Sequence, residues 1–142
     1  VAGIPALERK TTVELPFIRE DDPIRLRAAA GPVSIEDIVA CAESEGSYCS
    51  ELMRQAARYI GGAIANVVNI LNPQVIFLGG KMTAAAALVQ DEIREALQSN
   101  AFPEVATGTT VKISSLDGRA AYSGACALAL REMLESAKSD IL

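Results

Sequence analysis

Between Leu52 and Leu71 the apolar residues Ala56, Tyr59, Ile60, Ala63, Ile64, Val67, Val68, Ile70 and Leu71 recur at steps of three and four. Gly61, Gly62, Ala63 and Ala65 keep part of that surface small. Such a period predicts a long helix, begun at Ser47 or Ser50, that is apolar on most sides and therefore buried. Pro73 has no N–H to continue a helix and disfavours the helical region at Asn72, so the helix is expected to stop there. Val75, Ile76, Phe77 and Leu78 follow without alternation, which predicts a strand covered on both faces, as in a parallel sheet. Gly79-Gly80 then frees the backbone to turn, or to let another body come close. A helix feeding such a strand belongs to an α/β crossover, and ligands of open sheets gather at the carboxyl ends of their strands.

Elsewhere the pattern is less regular. VAGIPAL at the start predicts a short helical turn with Pro5 near its beginning. From Thr11 to Pro32 no period holds, prolines stand at 16, 23 and 32, and an extended connection is expected, pinned by Val13, Leu15, Phe17 and Ile18. Residues 1–33 are thus read as an extended connecting segment with a short N-terminal helix, and 34–142 as the α/β body. Ser34 caps the next helix, to about Ala42; Asp37 occupies the place where a capping box carries Glu or Gln, so the box is expected to be imperfect. A loop through Lys81, Met82 and Thr83 leads to a helix from about Ala84 to Ser99, ended by Asn100 to Pro103. Thr110 to Leu116 alternates and is β-branched, predicting a second strand. Asp117-Gly118 turns the chain into a last helix, Ala120 to about Ala137, whose stripe of Ala121, Gly124, Ala125 and Ala129 suits close packing on the sheet.

Two strands are too few for a sheet buried on both faces. Its open edge is expected to be met by self-association or by a missing lobe that completes the sheet.

Composition narrows the function classes. The 142 residues are half apolar, enough for one domain with a real core, and the net charge is −5. Without a basic stripe this segment is not expected to contact DNA directly. The cysteines, Cys41, Cys49 and Cys126, lack CxxC spacing and no histidine is present, so no zinc site is expected; they fit a reduced, cytoplasmic protein. Asn66, Asn69, Asn72 and Pro73 interrupt the longest apolar run, and no membrane span is expected. The beginning at Val1 carries no signal-peptide pattern and leaves open a fragment, a processed chain or disordered leading residues.

The series ARYIGGAIANVVNILNPQVIFLGG, then DEIREAL, then VKISSLDGRAAYSGACALALREML resembles the carboxyl-terminal portion of the ROK family of repressors and sugar kinases. The resemblance spans about Gly31 to Leu134. Its most specific parts are NxxNPxxIxxGG from Asn69 to Gly80 and the small-residue pattern at Ser114, Leu116, Ala120, Gly124 and Ala125. It implies an actin-like, ribonuclease-H-like ATPase fold of two α/β lobes around a cleft, of which this chain would be a fragment of the second lobe, with a few-stranded, mostly parallel sheet and packed helices. Gly79 and Gly80 fall on the family's adenosine motif, and Lys81 beside them completes the candidate nucleotide contact.

The departures from the family pattern are equally informative. The family's phosphate-binding Asp-Gly loop, its catalytic Asp and its His/Cys zinc motif find no match in these residues. No catalysis by this chain alone is therefore expected. VAGIPAL near the start resembles the segment after the zinc motif in regulator members more than in glucokinase-like ones, and the expected role is the effector-binding and dimerisation end of a sugar-responsive transcriptional regulator, with the sugar effector bound in the intact protein and no cofactor in this chain. The alternative is the nucleotide-side half of an ATP-dependent hexose kinase, for which ATP would be needed in the intact enzyme.

Overall fold

A computed structural model of the chain describes residues 2–80, 86–116 and 119–139. In order these form α1 (Ile4–Glu14), a 3-10 turn (Leu15–Phe17), α2 (Pro23–Ala28), α3 (Ile35–Ala42), α4 (Tyr48–Leu71), β1 (Val75–Leu78), α5 (Ala86–Asn100), α6 (Pro103–Gly108), β2 (Thr110–Ile113) and α7 (Ala120–Ser139).

Helix α4 is the spine. Ser47 starts it by accepting the Ser50 N–H at 3.1 Å, and Asn72 ends it in the left-handed conformation at φ 45°, with Pro73 blocking any continuation. The helix is not buried on most sides. Leu52, Met53, Ala56, Ala57, Gly61, Ile64, Ala65 and Val68 form its inner face, whereas Tyr59, Val67, Ile70 and Leu71 are exposed. Its most extensive packing is against α5, and the next against α3. That closeness depends on Gly61: a Cβ there would stand 2.6 Å from the Ala96 Cβ and 2.7 Å from the Ile93 carbonyl oxygen. The core joins Leu7, Ile24, Ile35, Ile38, Met53, Val68 and Ile93 from α1 to α5.

Strands β1 and β2 run parallel, Val75 opposite Thr110 and Leu78 opposite Ile113. Only one sheet face is covered by described residues. Ile76, Leu78 and Val111 pack on the core, while Val75 is 40% and Phe77 68% exposed on the other side. An unbroken apolar run does not by itself say which face of a strand the fold covers. The same holds for α7, which is expected on the sheet but lies outward, with Tyr122, Leu128, Leu130, Met133 and Leu134 all exposed.

The Thr11–Pro32 stretch is not extended. Helix α1 continues through Thr11, whose hydroxyl donates to the Leu7 carbonyl at 3.0 Å, and the prolines at 16 and 23 start the 3-10 turn and α2 instead of breaking structure. Two further differences concern short elements. The box at Ser34 is complete, because Asp37 accepts the Ser34 N–H at 3.1 Å while Ser34 accepts the Asp37 N–H at 3.2 Å. Strand β2 stops at Ile113, and Pro103 starts the short helix α6 that its own preceding turn disguised.

Candidate functional site

The carboxyl end of β1 opens into a hollow of 310 Å³. Leu78, Gly79 and Gly80 form one side, Ile113 of β2 lies beside them, and Ile60 of α4 with Val89 and Ile93 of α5 close the floor. Ala2, Gly3 and Ile4, at the beginning of α1, complete the rim.

Each side arrives there for a local reason. The parallel ladder runs one step past β1, since the Ser114 N–H donates to the Leu78 carbonyl at 2.7 Å, so Gly79 leaves the sheet only after β2 has been anchored beside it. Gly80 then adopts φ +98°, a conformation that L side chains rarely take, with open space where a Cβ would stand. At Gly79 a Cβ would meet the Ser114 Cβ at 3.8 Å, an ordinary contact. Conformation thus demands glycine at 80, and not at 79.

The upstream half of the motif is architectural. Asn69 accepts the Phe102 N–H at 2.9 Å and donates to the Asn100 carbonyl at 3.3 Å, which ties the α5–α6 junction to the end of α4. Thr109 donates to the Pro73 carbonyl at 2.8 Å and so aligns the entries of the two strands. These bonds set the register that brings Leu78 and Ile113 together at the hollow.

Of the residues singled out in the sequence, Gly79 and Gly80 lie at this hollow, and Lys81 lies outside the described residues. Ala2 to Ile4, Ile60, Val89 and Ile93 were not identified from sequence. For Ile60 and Ile93 the only signal is the apolar period, which marks core and pocket floor alike. No described lining residue carries a charged or hydrogen-bonding side chain, so polarity there comes from the main chain. Such a surface can hold an apolar or flat body against the backbone, but offers no general acid or base.

The perturbed titratable groups cluster at the other end of α4. Burial pushes the Cys49 thiol up to about 12, with Cys41 and Asp22 adding to the shift, and burial raises Cys41 as well. Neither thiol is suited to nucleophilic work. Among the described residues no group of three or more His, Cys, Asp or Glu side chains could hold a metal ion, and no helix is long and apolar enough to cross a membrane.

The ROK family matches this chain over residues 11–132. Among curated proteins, the regulator NagC of Escherichia coli is 34% identical over 101 residues, covering 71% of this chain and 25% of that protein. A glucokinase of Halalkalibacterium halodurans is 30% identical, covering 66% and 28% respectively. A xylose repressor of Caldicellulosiruptor bescii is 27% identical, covering 68% and 24%. This chain therefore spans about a quarter of the length of these relatives. Two solved structures share the fold. A putative sugar kinase from Cytophaga hutchinsonii aligns with a TM-score of 0.74 at 20% identity, over 90% of this chain and 42% of that one. A ROK transcriptional regulator described as a homologue of the E. coli MLC protein aligns at 0.67 with 24% identity, over 78% and 27%.

Proposed function

The chain belongs to the ROK family, and we propose that it is the carboxyl-terminal effector-binding and dimerisation portion of a sugar-responsive transcriptional regulator, cytoplasmic and not catalytic by itself. The observation that carries this reading is the aliphatic character of the hollow beside Gly79 and Gly80. Phosphoryl transfer relies on charged groups that neutralise the migrating phosphate, and the described lining supplies none. Packing and conformational coupling need only shape. In this reading the sugar binds in the intact protein, where its preference for one lobe arrangement shifts the population that holds DNA. The acidic segment itself stays off the DNA.

The bare sheet face around Val75 and Phe77 and the outward apolar surface of α7 support a partner that completes the sheet. The relatives are about four times as long as the matched segment, which favours further strands of the same lobe in that place over a second copy.

One observation favours the kinase reading. Gly80 at φ +98°, at a strand's carboxyl end, is a backbone that could lie beside a nucleotide, and a glucokinase is among the relatives. Calorimetric titration of the protein with a non-hydrolysable ATP analogue separates the two. The regulator reading expects no saturable heat at submillimolar ligand. Saturable binding that is lost in Gly80→Val would instead make this the nucleotide-side half of an ATP-dependent sugar kinase.

A further inference from the structure

From Tyr59 to Leu71 helix α4 carries no Asp, Glu, Lys or Arg, although one of its sides faces outward over that length. Tyr59, Ala63, Asn66, Val67 and Ile70, all exposed and recurring at helical spacing, form a continuous outer stripe, with Ile70 79% accessible near its end. We propose that this stripe is the contact between two copies of the chain, packed as an antiparallel pair of α4 helices about a two-fold axis at Asn66. The contact rests on the dimerisation half of the reading above and names its surface.

Asn66 selects the occupant. Its amide both donates and accepts, so at a two-fold axis the amides of two copies satisfy each other, as a single Asn in an apolar seam fixes register in coiled coils. A sheet laid on the same side would bury that amide against main chain already paired within its own ladder, leaving it unsatisfied. The lack of charge agrees. It offers a foreign partner no ion to complement, and it sets no like charges opposite one another in a self-complementary contact.

Shape fits the same arrangement. With Asn66 opposite its own copy, Ile70 stands level with Gly62 of the other helix, and nothing lies within 4 Å of a Cβ added at Gly62. A bulky side chain thus meets an open notch on each side of the axis. Toward the amino end the stripe gives way to a polar rim, where Arg58 pairs with Glu51 at 3.5 Å and Lys10 donates to Gln55 at 2.7 Å. The stripe and its borders bury about 600 Å² per copy, below the usual protein–protein interface, so a dissociation constant of about 10–100 µM is expected.

Sedimentation velocity of the chain from about 1 to 500 µM tests the contact. A monomer–dimer equilibrium is expected, and Ile70→Asp and Gly62→Leu, at positions the fold leaves open, should each weaken it at least tenfold while circular dichroism shows folding intact. Asn66→Cys in a Cys126→Ser background should cross-link to its own copy through a short bismaleimide, the buried Cys41 and Cys49 staying unreacted, whereas Val13→Cys in that background should not. Monomer throughout the range overturns both the contact and the dimerisation half of the proposed function. A dimer that both variants leave unchanged, or that does not cross-link at position 66, overturns the contact alone.

Discussion

The Asp22 carboxylate accepts the main-chain N–H of Tyr48 at 2.8 Å, across 26 residues of sequence, while its other oxygen accepts the Ile24 N–H at 3.1 Å. One side chain thus caps α2 and steers the entry to α4, the helix whose Ile60 lines the hollow at β1. Glu8 does the same for α3, accepting the Ile35 N–H at 2.9 Å from its place on α1. The amino-terminal helices are therefore locked to the body by carboxylates at helix starts, where unpaired N–H groups and the dipole both favour negative charge.

Asp22→Ala leaves two N–H groups without acceptors, one at the start of each helix. A loss of about 2–3 kcal/mol is expected, read from the shift in urea midpoint. A change below ~0.5 kcal/mol would place Asp22 among ordinary surface positions.

Gly61 and Gly62 are neighbours with opposite expected responses. Gly61→Ala drives a methyl into Ala96 and the Ile93 carbonyl and should destabilise by about 1–3 kcal/mol by prising α4 from α5. At Gly62 nothing lies within 4 Å of an added Cβ, so Gly62→Ala should stabilise by up to about 1 kcal/mol through helix propensity. Paired thermal and urea melts of the two variants check the sign of each.

Asp37 supplies the pH dependence. Hydrogen bonds from the Ser34 hydroxyl at 2.7 Å and the Ser34 N–H at 3.1 Å, then Arg27 at 3.0 Å, hold its carboxyl below the ordinary 3.8. Because the folded value lies below the unfolded one, the stabilisation is complete above 3.8 and fades as pH falls through the lower folded value. Asp37→Asn should be less stable than the natural protein near neutrality and approach it in acid, as unfolding curves from roughly pH 2 to 6 would record. A constant difference across that range would assign the effect to shape instead of charge.

Much of the scaffold was legible in the sequence because its signals are local. The threefold-fourfold period of α4, the stop at Asn72-Pro73 and the β-branched run of β2 each act through the residue itself or its neighbours. The candidate site was legible only at Gly79 and Gly80. Asp22 reads as one acid in a charge run, and its bond to Tyr48 depends on a meeting of segments that no local period encodes.

Residue chemistry alone determined that α4 must end at Pro73, that β1 must follow at once, and that the family motif lies between Asn69 and Gly80, since backbone restriction and apolar spacing are properties of the chain itself. Tertiary structure decided the rest: which face of α4 is buried, that Gly61 and not Gly62 sets the approach of α5, that Val75 and Phe77 stand bare, and that Glu14, Phe17 and Tyr48 share a hollow. Burial and capping are relations between surfaces brought together from distant parts of the chain, and a side chain acquires them only when its partner arrives.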